Sequence, residues 1–351
     1  MSAQFLFYDD YSEGAHPHIL RALAADSQKQ DRGYGADATT EKAISLIRAK
    51  TRQPQAAVYF VATGTQANIV CLASMLKPYE SVIAEYNGHI HVHETGSIEA
   101  TGHKINCVAG HNGKLDSAAV QSVLDAHSDQ QMVKPKVVYI SQPTELGTIY
   151  SRAELQQLHA FCQKYHLYLY IDGARLGHAL AAHNADFTLP DIAASCDMFY
   201  IGGTKNGGLM GEAIVIVNPD LQTDFAYHLR QRGALLSKAR SVSTQFVTFF
   251  QDNLYLDNAA HANRLAQLLG AGLQKLEIAL LLPTAANQLF PILPDQLIAK
   301  LKARYGFHIW CKADTPGHSV IRLVTSWSTP EPAVIDFLTY LATLKQSESN
   351  N

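Results

Sequence analysis

Two short stretches carry the residues best suited to chemistry: Asp172 and Arg175 in YIDGARLG, and Lys205 in GGTKNG. Each stretch ends an apolar run, HLYLYI in the first case and DMFYIGG in the second, and a further run, EAIVIVN, follows the glycine-rich turn GGLMG. Runs of this kind read as buried parallel strands. In open α/β sheets ligands sit beyond the carboxyl ends of the strands, so one sheet edge would carry a carboxylate, a guanidinium and a primary amine. The simplest chemistry that needs all three is pyridoxal phosphate catalysis on a small-molecule amino acid. A lysine holds the cofactor aldehyde as a Schiff base, and a carboxylate keeps the pyridine nitrogen protonated. Lys205 and Asp172 take these roles, and the rigid fork of Arg175 suits a substrate carboxylate. The plainer alternatives are a solvated lysine after a strand and an aspartate capping the next helix.

The elements that must position these groups are legible on either side. AAVYFVATGTQANIVCLASML reads as an apolar strand, a Thr63-Gly64-Thr65 turn and a helix. Amides at a helix start, flanked by hydroxyls, make an anion site, here read as a cup for the cofactor phosphate; the alternative is a plain connection. KPKVVYISQPTELGTIYSRAELQQLHAFCQKYH gives a strand, a loop and an amphipathic helix opened by a Ser151/Glu154 capping box. FYDDYSEGAHPHILRAL is an extended arm followed by a helix that Pro17 opens. DRGYGADATTEKAISLIRAK is a glycine-punctuated loop running into a helix capped by Thr39 or Thr40. FAYHLRQRGALLSKARSVSTQFVTFF reads as a basic helix. LYLDNAAHANRLAQLLGAGLQKL is a long helix into a smaller unit, with strands near ANQLFPIL, GFHIWCKA and HSVIRLVTSW. The tail QSESNN is expected to be disordered.

Composition narrows the classes. A chain of 351 residues, 47% hydrophobic and 17% charged, can bury a large core and belongs among ordinary soluble proteins. Its net charge of -3 gives no electrostatic case for nucleic acid or an anionic membrane as partner. The amino terminus has neither a basic region nor a long apolar run, so no signal peptide or spanning segment is expected and the location is read as cytoplasmic. The five cysteines, without a CxxC pair, read as reduced core thiols. His89, His91 and His93 form the one histidine cluster; in a strand they would share a face, as a zinc site requires, but no metal is expected.

The segments TGT, GHIHVHE, YIDGARLG and GGTKNG, in this order, resemble the threonine aldolase and β-eliminating lyase group of fold-type I pyridoxal enzymes. The correspondence spans roughly residues 7–326. It implies an α/β fold of the fold-type I transferase-like kind: an arm and large domain with a mostly parallel sheet over 1–254, and a smaller C-terminal α/β domain over 255–351. It also implies that His89 stacks on the cofactor ring and serves as a base, that Tyr34 reaches the site from its YG loop, and that Arg322 joins Arg175 around the substrate carboxylate. Lys238 and Arg240 are implied to reach a neighbouring subunit's phosphate in a homotetramer built as a dimer of dimers. Two departures stand out. Asp9 and Asp10 occupy the arm where the group has a serine and an aspartate, with Ser12 further on. Glu145, after Thr144, stands where many threonine aldolases carry a histidine near the substrate hydroxyl. The implied activity is cleavage of L-threonine or L-allo-threonine to glycine and an aldehyde. The alternatives are a phenylserine aldolase, a β-eliminating lyase or a racemase, because one electron sink serves every bond at Cα. A nucleotide-binding α/β protein is disfavoured because no GxGxxG follows the first strand.

Overall fold

The Tyr168–Asp172 and Met198–Gly202 strands lie side by side and parallel in a seven-stranded sheet, in a computed structural model that describes residues 5–349. From one edge the order is Ala57–Val61, Glu212–Ile216, Met198–Gly202, Tyr168–Asp172, Lys134–Ser141, Glu80–Glu85 and Ile105–Val108. Only Glu212–Ile216 runs against its neighbours; its pairings with Ala57–Val61 and Met198–Gly202 are antiparallel and the other four are parallel. The register sets Glu212 opposite both Val61 and Gly202, so the start of the reversed strand joins the carboxyl ends of the others. Separate apolar cores cover the two faces, one built around Ile171, Phe199 and Phe246, the other around Val70, Tyr170 and Ile214. Burial on both faces is why the strands read as unbroken apolar runs.

The helix Gly64–Met75 starts where Thr63 accepts the Gln66 amide, and seven of its residues are buried because it lies against the sheet. The Arg152–Lys164 helix opens with the expected Ser151/Glu154 capping box, and Pro17 stands first in Pro17–Asp26. The Ala38–Thr51 helix is capped by Asp37 rather than by Thr39 or Thr40: its carboxylate takes both the amide and the hydroxyl of Thr40 at 2.8 Å. The presumed single basic helix is two, Phe225–Gln231 and Arg240–Gln251. Gly233, at φ 65°, and the bond from the Ala234 amide to the Leu229 carbonyl form the stop between them.

The long helix Leu254–Lys275 leads into the C-terminal unit, where Ile292–Pro294, His318–Val324 and His308–Lys312 pair antiparallel. A register shift between Ile309 and Cys311 marks a bulge at Trp310. The arm returns here: Phe5–Leu6 pairs with Tyr305–Gly306, and Phe7 is fully buried among Leu269, Leu297 and Phe337. Burying such a ring contributes about 1.5–3 kcal/mol, which holds the following acidic residues in place. The closing helix runs through Ser349, so the expected disorder does not begin at Gln346; Asn350 and Asn351 lie outside the described residues. No helix among the described residues is long and apolar enough to cross a membrane.

Candidate active site

Several strands deliver polar groups to one sheet edge, among them Asp172, Ser141, Glu85 and Glu212. Asp172 ends its strand buried, and its carboxylate accepts four bonds: from Tyr200 Oη at 2.5 Å, Tyr139 Oη at 2.7 Å, Asn68 Nδ2 at 3.0 Å and the Ala174 amide at 3.0 Å. Burial alone would raise its pKa, but the nearby His89 and the bonds from Tyr200, Asn68 and Ala174 hold it below the usual carboxylate value. Gly173 makes the packing possible, since a Cβ there would stand 1.9 Å from the Tyr200 carbonyl oxygen.

Lys205 lies in the short 3-10 turn Thr204–Asn206, half-buried, with its Nζ 5.9 Å from the centre of the Tyr11 ring. Burial first, and then the Arg175 charge, lower its pKa, which favours the neutral amine a nucleophile needs. His89 begins the helical turn His89–Val92, so the histidine cluster is not a strand: His89 and His93 fall one turn apart, ring centres at 5.6 Å. His89 Nδ1 meets Glu94 Oε1 at 2.8 Å, and Glu94 is held by Asn68 at 2.7 Å and Ser97 at 2.6 Å. Burial opposes charging of the imidazole, yet the Glu94 bond, with Glu145 and Asp172 nearby, raises its pKa. Asn68 therefore spans the two acidic centres, with its carbonyl fixed by Tyr170 Oη at 2.9 Å.

Two adjoining cavities share Tyr11, His89, Glu145 and Lys205. The inner one, about 310 Å³, is walled by Thr63, Gly64, Thr65, Asp172, Tyr200 and Glu212. The outer one, about 630 Å³, is walled by Arg175, His93, His308, Trp310 and Arg322. A Cβ on Gly64 would lie 2.9 Å from Tyr200 Oη, so the cup depends on a bare backbone there. Arg175 is buried and clamped by Asp10 through Nε at 2.7 Å and Nη2 at 3.1 Å, leaving Nη1 and one Nη2 proton for a ligand. Asp10 is fully buried and also accepts from Asn287 at 2.9 Å. Its burial would raise the carboxyl pKa, but Arg175 and Lys205 hold it well below the usual range. Arg322 donates to the Tyr8 carbonyl at 3.1 Å and lies 5.5 Å from the Trp310 ring; its buried Nε has no partner among the described residues.

The fold thus gathers Lys205, Asp172, His89, Thr63, Gly64, Thr65, Glu145, Arg175 and Arg322 around one connected space. Five other residues named from the sequence lie outside its walls. Ser12 is exposed and donates to Asp9 at 2.8 Å, a local turn, and Tyr11 takes the place at the cavity. Tyr34, at φ 59°, is exposed beneath Arg230, its amide bonded to the Ser237 carbonyl. Lys238 and Arg240 border a separate cavity of about 550 Å³, and Arg240 is paired with Asp26 at 3.0 Å. Thr144 is committed to Thr148, hydroxyl to hydroxyl, at 2.7 Å. Cys311 is exposed at the outer cavity, unlike the buried Cys71, Cys162 and Cys196; all five thiols are free. Among the described residues no group of His, Cys, Asp or Glu is arranged to hold a metal ion.

The lysine, the ionised aspartate at the next strand end and the amide-and-hydroxyl cup fit pyridoxal phosphate, and residues 9–296 match the model of the β-eliminating lyase family. The chain belongs to that family. Among the curated relatives of this chain is the low specificity L-threonine aldolase of Pseudomonas aeruginosa, 34% identical with 92% of each chain covered. The low specificity L-threonine aldolase of Escherichia coli is 29% identical over 58% of this chain and 59% of its own. Among solved structures, the threonine aldolase of Leishmania major is 43% identical, with a TM-score of 0.95 over 97% of this chain and 99% of that one. A single mutant of Thermus thermophilus aspartate aminotransferase, at 16% identity and a TM-score of 0.71 over 97% and 91%, shares the fold alone.

Sequence reasoning missed Tyr11, Asn68, Glu94, Tyr139, Tyr200, Glu212 and Trp310 as parts of the site. Five of these, Asn68, Tyr139, Tyr200, Glu212 and Trp310, sit inside strands or helices, where the aromatic ones read as core. Asn68 offered a signal, an amide inside the otherwise apolar NIVCLASML helix.

Proposed function

We propose that the chain cleaves L-threonine and L-allo-threonine to glycine and acetaldehyde, with pyridoxal phosphate held by Lys205. The observation that carries the reading is the pairing of Lys205 with a buried, four-fold hydrogen-bonded Asp172 beside the Thr63–Thr65 cup. Bound pyridoxal phosphate supplies the electron sink for the charge that develops at Cα. Lys205 would hold its aldehyde, Asp172 would pair with its pyridine nitrogen, and Thr63, Gly64 and Thr65 would cradle its phosphate. Arg175 and Arg322 bind the substrate carboxylate from two sides, which fixes the orientation of the Cα–Cβ bond. His89 would pack over the cofactor ring, and its Nε2, opposite the nitrogen that Glu94 engages, is placed to accept the β-hydroxyl proton. Glu145, at the junction of the two cavities, faces the β-substituent and helps hold that hydroxyl.

The outer cavity, with Trp310 and His93 in its wall, has room for more than a methyl group, which favours activity on phenylserine as well. Incubation with L-threonine, L-allo-threonine and phenylserine should give glycine and the matching aldehyde. 2-Oxobutyrate from either threonine, phenylpyruvate from phenylserine, or the D-amino acid as sole product would indicate the eliminating or racemising chemistry instead.

The protein acts in the cytoplasm as a homotetramer, a dimer of dimers. In it Tyr34, Lys238 and Arg240 serve the neighbour's site, with Lys238 the freer of the two cations because Arg240 is already paired with Asp26. A phosphate contact from Lys238 is worth about 1.5–3 kcal/mol, so Lys238→Ala should weaken cofactor retention by about tenfold to a hundredfold. Hybrids of Lys205→Ala with Lys238→Ala should regain activity. Failure after confirmed subunit exchange would place each site within one chain.

A further inference from the structure

Glu212 is a buried carboxyl that no step above uses. It opens the one reversed strand of the sheet, 4% exposed, between Val61 and Gly202, and forms no ion pair among the described residues. Its Oε2 accepts the Gly203 amide at 2.8 Å and its Oε1 accepts the Thr204 hydroxyl at 2.9 Å. Thr204 Oγ1 in turn accepts the Gly211 amide at 2.9 Å. These bonds tie both ends of the 203–211 turn to one side chain, and Lys205 sits on that turn, next to Thr204. The same carboxyl lines the inner cavity with Thr63, Gly64 and Thr65.

We propose that Glu212 is a positioning residue that clamps the lysine-bearing turn and makes capture of a phosphate in the inner cavity proton-linked. The proposal rests on the cofactor reading of that cavity. A carboxylate facing a phosphate dianion across a low-dielectric space is repelled, whereas a neutral carboxyl is not. When protonated, Glu212 can donate to Thr204 Oγ1, and the Thr204 proton, released from its bond to Glu212, becomes available to a ligand oxygen. One proton is taken from solvent and none is lost within the pair.

The titratable groups facing Glu212 are Lys205 on the turn it clamps, Tyr200 on the adjacent strand, Asp172 one strand further on, and Tyr255 at the start of the long helix. Burial dominates, and despite the bonds from Gly203 and Thr204 and the charge of Lys205 it pushes the carboxyl up to about 8. Glu212 is therefore half ionised near that pH, and phosphate capture should grow weaker as the pH rises through it.

The test is calorimetric binding of pyridoxal phosphate, and separately of inorganic phosphate, to apoprotein at pH 8 in buffers of different ionisation enthalpy. Protons taken up per ligand follow from the buffer dependence. Wild type should take up about half a proton more than Glu212→Gln, and its affinity should fall up to about fivefold between pH 8 and 9 while that of Glu212→Gln does not. Thr204→Val removes one bond that stabilises the ionised form, so it should lose much of the excess uptake, and Thr204→Ser should retain it. A purely structural clamp would change stability in these variants and leave the proton count alone. Equal counts in wild type and Glu212→Gln would overturn the proposal. So would Thr204→Val with wild-type linkage, should Glu212→Gln not fold. If the cofactor reading itself were wrong, pyridoxal phosphate would give no visible band in wild type, an outcome distinct from a band with unlinked binding.

Discussion

The sheet edge and the outer wall facing it hold their charges in opposite ways. At the edge, Asp172 has a protein donor for each of four bonds, and Glu94 is held by His89, Asn68 and Ser97. At the wall, Arg322 has an Nε without a partner among the described residues, Arg175 keeps donors beyond those Asp10 takes, and Trp310 stands on a bulge. A saturated edge is rigid before any ligand arrives, which suits a cofactor of fixed shape. A wall with spare donors suits substrates that share a carboxylate and differ beyond it. Substitutions at the edge should therefore strike turnover, and those at the wall should strike KM and selectivity.

Short of removing Lys205, the largest effect should come from Asp172→Asn, which keeps the shape but removes the charge that would hold the pyridine nitrogen protonated. Turnover should fall by roughly 10²-fold or more, with cofactor still bound. Steady-state kinetics and the visible spectrum check both halves, and normal turnover would take Asp172 out of the electron-sink role. On the wall side, Asp10→Asn weakens a charge-assisted bond that orients Arg175, so KM should rise about tenfold with kcat little changed. A drop in kcat at constant KM would move Asp10 to the other side of the comparison.

Glu94→Gln sharpens the edge through pH. His89 is raised above its ordinary value by Glu94, and it must be neutral to accept a proton. The acid limb of kcat/KM should therefore lie above the usual imidazole range in wild type and shift to lower pH in the variant. A limb that stays in place would mean that His89 is not the base. The smallest effect should be at Trp310→Ala, a several-fold change in the phenylserine-to-threonine ratio of kcat/KM, since a ring contact at a cavity wall is worth about 0.5–1.5 kcal/mol. An unchanged ratio would remove Trp310 from selectivity.

The edge was legible in the sequence because its physics is local. Strands buried on both faces must be apolar, so the residue that breaks each run, Asp172 or the Thr204-Lys205 pair, announces a strand end. The reversed direction of Glu212–Ile216 was not announced, because an antiparallel strand buried on both faces has the same composition. The wall was harder to read because its contacts are long-range. Asp10 meets Arg175 across 165 positions, and nothing near DDYS distinguishes a buried clamp from a solvated acidic turn. The bulge that turns Trp310 towards Arg322 belongs to a pairing register that one strand alone does not specify. Local capping rules settled the Ser151/Glu154 helix but missed Asp37, where a carboxylate just ahead of two threonines takes the cap itself.

The most direct test of the account is to reduce the purified, yellow protein with borohydride and map the modified peptide. The label should fall on Lys205 in the GGTKNG segment, and Lys205→Ala should neither trap cofactor nor release glycine from L-threonine. A stable label on any other lysine in the wild-type protein would contradict the assignment of the sheet edge as the site of catalysis.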